Sequence, residues 1–171
     1  MTHYDSLLQR LNTREARVGI IGLGYVGLPL AVEFAEAGFH VVGIDVLADK
    51  VAQLNSGHSY IADIPSERLA PLVKSGKFFA TTDYSEVQTL DTVSICVPTP
   101  LRKTKDPDMS YVIQAVEQVT EYAHDGLLII LESTTYPGTT DELVVPKLED
   151  AGFVIGRDVF VAISPERIDP A

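Results

Sequence analysis

Six short runs of branched and aromatic apolar residues recur along the chain: "RVGIIG", "HVVGID", "KFFATT", "DTVSICVP", "LLIILES" and "VFVAIS". Longer stretches with helical spacing separate them, one marked by Val112, Val116 and Val119. A run that is apolar at nearly every position has no face to give to water, so it suits a strand covered by helices on both sides. Alternation of such strands with helices builds one parallel sheet. The expected fold is α/β: a doubly wound Rossmann fold with a mostly parallel six-stranded sheet and helices on both faces.

Neither an internal repeat nor a low-complexity segment interrupts this pattern, and residues 1–171 read as one domain. Pro29 falls in a first helical turn, where its missing N–H is not needed, and Gly38 sits where a left-handed residue would end the same helix. Asp108 and Ser110 are both candidate caps for the Val112 helix. Pro146, inside the next expected helix, is the one awkward residue, and a kink is expected there.

Thirteen basic against twenty-four acidic residues leave a formal charge of −11, which repels phosphate backbones and anionic lipid heads. Nucleic acid and membrane surfaces are therefore poor partners. The opening "MTHYDSLLQRLNTREARVGI" carries charges throughout and has neither a signal-peptide core nor a spanning helix. A single cysteine, Cys96, forms no internal disulfide and no cysteine-based zinc site, which favours the reducing cytoplasm. It lies within an apolar strand and reads as a small core residue. His3, His40, His58 and His124 are scattered without metal spacing.

In "VGIIGLGYVGLP", Gly22, Gly24 and Gly27 spell GxGxxG between a strand and a helix, with Tyr25 and Val26 inside the motif. The three glycines suit a tight turn, close approach to a pyrophosphate, and close packing of helix on strand. The helix start adds free N–H groups and the positive end of its dipole, so an acidic domain can still hold an anion. Asp45 ends the second run about twenty residues on, where a carboxylate accepts from adenine-ribose hydroxyls. With no arginine in "IDVLADK", NAD is preferred over NADP. Asp45 as a cap for the next helix is the competing reading. Lys50 is a solvated helix lysine unless it folds back towards the ribose.

In an open parallel sheet the ligand lies beyond the carboxyl ends of the strands. The residues that follow each run are the glycine loop, Asp45, "VPTP" with Pro98 and Thr99, "ESTTYPG" with Thr134, and "SPER" with Glu166. These loops should converge on one crevice. The hydroxyls of Ser133, Thr134 and Thr135 are expected to face it. Tyr136, Pro137 and Gly138 read as a turn, and Thr139 with Glu142 as a capping box that starts the next helix.

"GLGYVGLPLA", "CVPTPL" followed by "DPDMSYV", "LESTTYPGTT" and "SPERIDP" together resemble, in order and spacing, the nucleotide-sugar 6-dehydrogenases, which include the UDP-glucose and GDP-mannose enzymes. The last two motifs are most similar to the branch that oxidises UDP-N-acetylglucosamine; UDP-glucose and UDP-N-acetylmannosamine or -galactosamine are the alternatives, and a non-catalytic NAD(H)-sensing module is the reading from another class. The other branches continue from the glutamate as Phe-Leu with a second glutamate. That second glutamate falls on Pro170 here, so its role in those relatives is not carried over, and Asp169 is the candidate substitute.

The resemblance implies oxidation of a sugar's primary alcohol to a carboxylate by two hydride transfers to NAD⁺, through a covalent thiohemiacetal. Thr134 would then position substrate or a catalytic water beside the cofactor, and Glu166 would serve in acid/base or water-positioning chemistry. Thr99 would lie beside the bound cofactor. The family's nucleophile sits in a "GGxCxP" motif that this sequence does not contain, so the chain is expected to be the NAD-binding part of a longer homo-oligomeric enzyme.

Overall fold

The computed structural model describes residues 2–103, 107–133, 135 and 138–164. The elements run α1 (His3–Thr13), β1 (Arg17–Ile21), α2 (Gly27–Glu36), β2 (His40–Ile44), α3 (Ala48–Asn55), α4 (Ser66–Lys74) and β3 (Phe78–Thr81). A 3₁₀ turn (Tyr84–Thr89) then leads to β4 (Thr92–Ile95), α5 (Ser110–Glu121) and β5 (Leu128–Leu131). A π turn (Thr140–Val144) continues as α6 (Val145–Asp150) and ends at β6 (Phe160–Ile163). All six apolar runs are strands of one sheet, ordered β3-β2-β1-β4-β5-β6. Every pairing is parallel, so the sheet is wholly and not just mostly so.

Two apolar layers sandwich this sheet because successive strand residues point to opposite faces. Val18, Ile20 and Val41 join Leu28, Val32, Leu54 and Leu69 on one face. Ile21, Val42, Val93 and Ile95 meet Val112, Val116 and Leu148 on the other. This is why the runs are apolar at most positions. The strand order reverses beside β1, whose two neighbours are β2 and β4; the chain therefore winds in both directions from the strand that carries the glycine loop.

Helix α1 was not foreseen. Its start is a capping box, in which the Thr2 hydroxyl accepts from Asp5 N–H (3.1 Å) while Asp5 Oδ2 accepts from Thr2 N–H (3.1 Å). Arg14, at φ 63°, ends it. The helix docks through buried Leu7, an edge-to-face contact of Tyr4 with Phe160 (6.0 Å), and an ion pair between Arg10 and Asp91. Asp91 is 3% exposed, and its other oxygen accepts from Arg17 N–H (2.8 Å), so one buried carboxylate ties α1 to the first residue of β1.

Three local expectations change. The Thr139–Glu142 capping box does not form: Thr139 has helical angles (φ −54°, ψ −39°), and its side chain makes no cap hydrogen bond at the start of the π turn. Pro146 falls in the first turn of α6, just after the wide π turn, so the irregularity lies before the proline and the ring meets no regular preceding turn. Nor is it the only awkward proline, because Pro71 sits inside α4. Asp108 does act at the start of α5, accepting from Ser110 N–H (3.1 Å), and Gly38 is left-handed at φ 103°. Among the described residues, no helix is long and apolar enough to cross a membrane.

The buried anchor of α1 can be tested by stability. Asp91→Ala removes the acceptor of both Arg17 N–H and Arg10 and should cost about 2–3 kcal/mol, whereas Arg10→Ala, at a half-exposed side chain, should cost about 1 kcal/mol. Urea midpoints for the two variants check this order; an Asp91 variant as stable as the parent would contradict it.

Candidate dinucleotide site

The strand ends are in register. Ile44, Ile21, Ile95, Leu131 and Ile163 are successive partners across the sheet. Pairing also continues one residue beyond each strand. Asp45 N–H donates to Thr81 O (3.1 Å), Gly22 to Ile44 O (2.8 Å), Cys96 to Ile21 O (2.7 Å), Glu132 to Ile95 O (3.0 Å) and Ser164 to Leu131 O (3.0 Å). Each loop thus leaves the sheet at the same level. A crevice of about 1330 Å³ opens above, lined by Gly22, Gly24, Asp45, Thr99, Glu132 and Ser133 among others. That volume exceeds the ~300–1,000 Å³ typical of drug-sized sites and suits an elongated ligand.

The three glycines of the loop are required for three different reasons. Gly22 has φ +87°, and a Cβ there would lie 2.7 Å from Cys96 O. At Gly27 the added atom would fall 1.7 Å from Gly22 O, so this glycine lets α2 approach β1. Gly24 has no such constraint: its φ is not left-handed, and a Cβ would meet no protein atom within 4 Å. A side chain there would project into empty space at the crevice, the space a bound diphosphate needs. Among the described residues none accepts a hydrogen bond from the N–H of Gly24, Tyr25 or Val26. Donors at the start of α2 are therefore available to an anion, and the residues fit NAD.

Asp45 does not cap α3, whose N-cap is Leu47. Its carboxylate accepts from Leu23 N–H (2.9 Å) and Leu47 N–H (3.0 Å), and the residue is 9% exposed at the crevice wall. Each oxygen keeps acceptor capacity for a ribose hydroxyl. Lys50 lines the crevice, and its ammonium lies 5.2 Å from the centre of the Tyr60 ring. Tyr84 also lines it, its phenol pKa raised first by burial and then by the charge of Asp45.

Pro98 and Thr99, which follow β4, also line the crevice, as do Tyr25 and Val26 of the loop. Thr134, Tyr136, Pro137, Glu166, Asp169 and Pro170 lie outside the described residues. Ser133 lines the crevice. Its hydroxyl is 2.8 Å from Val97 O and 3.2 Å from Ile95 O, so its proton goes to the β4 end and not to a ligand. It staples the two strand tips where the crevice floor is formed. Cys96 is not within a strand but one residue past β4; it is buried, and its carbonyl packs against Gly22. The sequence reading assigned no role to Tyr60, Tyr84 or Glu132. The signal available for Glu132 was positional, since it is the first residue beyond β5.

Fold and crevice together define a dinucleotide-binding domain of the dehydrogenase class. Residues 16–171 match the model of the UDP-glucose/GDP-mannose dehydrogenase family, NAD binding domain, and the chain belongs to that family as its NAD-binding domain. It is 37% identical over 155 residues to a UDP-N-acetyl-D-mannosamine dehydrogenase of Pyrococcus horikoshii, covering 90% of this chain and 37% of the relative. A UDP-N-acetyl-D-glucosamine 6-dehydrogenase of Pseudomonas aeruginosa is 36% identical, covering 92% of this chain and 36% of the relative. Among solved structures, an NDP-N-acetyl-D-galactosaminuronic acid dehydrogenase of Methanosarcina mazei superposes with a TM-score of 0.85 at 35% identity, covering 99% of this chain and 38% of that one. The chain thus spans little more than a third of the length of these relatives.

Calorimetric titration tests the cradle. Gly24→Val should fold normally yet lose nearly all NAD⁺ binding, because its branched side chain takes the diphosphate's space. Asp45→Ala should bind about tenfold more weakly through lost ribose hydrogen bonds. Parental affinity in both variants would remove the assignment.

Proposed function

We propose that this domain serves a nucleotide-sugar 6-dehydrogenase that oxidises the primary alcohol of a UDP-sugar to the uronate, with UDP-N-acetylglucosamine as the favoured substrate. UDP-glucose, UDP-N-acetylmannosamine and UDP-N-acetylgalactosamine are the alternatives. The observation that carries the reading is the crevice, lined by Asp45 and by Gly24, where a side chain would meet no protein atom within 4 Å. The "SPERIDP" ending and the N-acetylated sugars named for the similar enzymes support the choice of substrate branch.

NAD⁺, when bound, supplies the hydride acceptor. The residues of this chain would do the rest of the holding. Gly24, Tyr25 and Val26 N–H groups take the diphosphate, Asp45 takes the adenine ribose, and Lys50, Pro98 and Thr99 flank the dinucleotide. Thr134, one residue beyond the Ser133 staple, would position substrate or water beside it, and Glu166 would hold or move a proton. Cys96 is not the thiol that such chemistry requires, because it is buried and its backbone belongs to the cradle. The nucleophile would come from outside these 171 residues. A cytoplasmic, homo-oligomeric enzyme is the setting that this reading implies.

In a full-length form, Thr134→Ala and Glu166→Gln should each lower kcat at least tenfold while changing NAD⁺ affinity less than twofold. Steady-state kinetics with a panel of UDP-sugars, run beside NAD⁺ titration, reads both quantities and identifies the sugar. A loss confined to cofactor affinity would mean that the two residues belong to the dinucleotide and not to the chemistry.

A further inference from the structure

Leu23, between the first two glycines of the loop, is held from two directions. Its N–H donates to Asp45 Oδ2 (2.9 Å), and its carbonyl accepts from the Tyr60 hydroxyl (2.5 Å). Its side chain is fully buried beneath β2, where a Cβ on Gly43 would sit 2.8 Å from it. Tyr60 comes from the connection between α3 and α4 and is half-buried, with the Lys50 ammonium 5.2 Å from its ring centre. Burial first, and then the negative charge of Asp45, push its phenol pKa above the ordinary value, so the hydroxyl keeps its proton and remains a donor.

The Leu23–Gly24 peptide is trans, so its C=O and N–H point in opposite directions. With the carbonyl bonded to Tyr60, the Gly24 N–H faces the other way. A glycine-flanked peptide released from that bond could rotate as a unit and offer the crevice a carbonyl oxygen, which repels an anion, in place of a donor. We propose that Tyr60 is a positioning residue for the cofactor: its hydroxyl locks the Leu23–Gly24 peptide so that the Gly24 N–H is presented to the dinucleotide's diphosphate. The inference rests on the assignment of the crevice to NAD and adds a group that touches no part of the ligand itself.

Tyr60→Phe is the test, because it removes only the hydroxyl and keeps the ring under Lys50. Affinities for NAD⁺, ADP-ribose and adenosine are measured by titration on this chain. The clamp predicts that NAD⁺ and ADP-ribose bind about three- to tenfold more weakly, the effect of one lost hydrogen bond, while adenosine, which has no phosphate, binds as before. A merely structural role would weaken all three alike, and that outcome, or unchanged ADP-ribose affinity, overturns the proposal. The Gly24 amide in a ¹H–¹⁵N spectrum of the ligand-free variant gives a readout that does not depend on binding: it should shift or broaden, and a sharp, unshifted resonance also overturns it. Failure of the unaltered chain to bind ADP-ribose would instead remove the crevice assignment, and this inference with it.

Discussion

The level ends of five adjacent strands are the constraint on which the rest of the structure depends. Each strand passes one further N–H to its neighbour's last carbonyl, so Asp45, Gly22, Cys96, Glu132 and Ser164 leave the sheet side by side. A slip of one residue in any pairing would turn the buried set of that strand to the opposite face. The two apolar layers oppose it, since nearly every position of the central strands β1, β2 and β4 is buried. Core packing therefore sets the positions of the functional loops, and hydrophobic burial at about 1.5–3 kcal/mol per large side chain is what makes those positions rigid.

Within this frame the site is built largely from backbone. The Ser133 hydroxyl donates to the β4 tip, and the Asp45 carboxylate accepts from two main-chain N–H groups at the crevice wall. Such sharing links binding to order. The same carboxylate that would accept from a ribose holds Leu23 in place, so the adenosine and diphosphate halves of the site rest on a common support. Lys50 is the one cationic side chain among the described lining residues, and it leans on an aromatic ring and not on an acid.

Much of this was legible in the sequence, for physical reasons. All six strands were readable because cover by helices leaves few polar positions in the central ones, and the glycine loop because Gly22 and Gly27 have no room for a side chain. Asp45 followed from its distance along the chain. What escaped were features made by contacts far apart in sequence. Tyr60 meets Leu23 across 37 positions, and no local pattern announces that bond. That the Ser133 hydroxyl donates within the protein was not legible, because a hydroxyl's partner is ambiguous until its acceptors are in view. Helix α1 was missed although Thr2 and Asp5 form a readable cap; its charged sequence has few apolar positions, and its docking depends on Asp91. Pro71 shows that tertiary packing can outweigh a helix breaker.

The charge of the domain and the neutrality of its cradle have a consequence for capture. With a formal charge of −11, the molecule surrounds itself with a field that opposes an approaching diphosphate, while the attraction of main-chain dipoles is felt only at close contact. Counter-ions shorten the reach of the opposing field to roughly 8–10 Å at physiological strength and leave the short-range dipoles almost untouched. Encounter should consequently quicken as electrolyte is added, the reverse of what a lysine-lined phosphate pocket does.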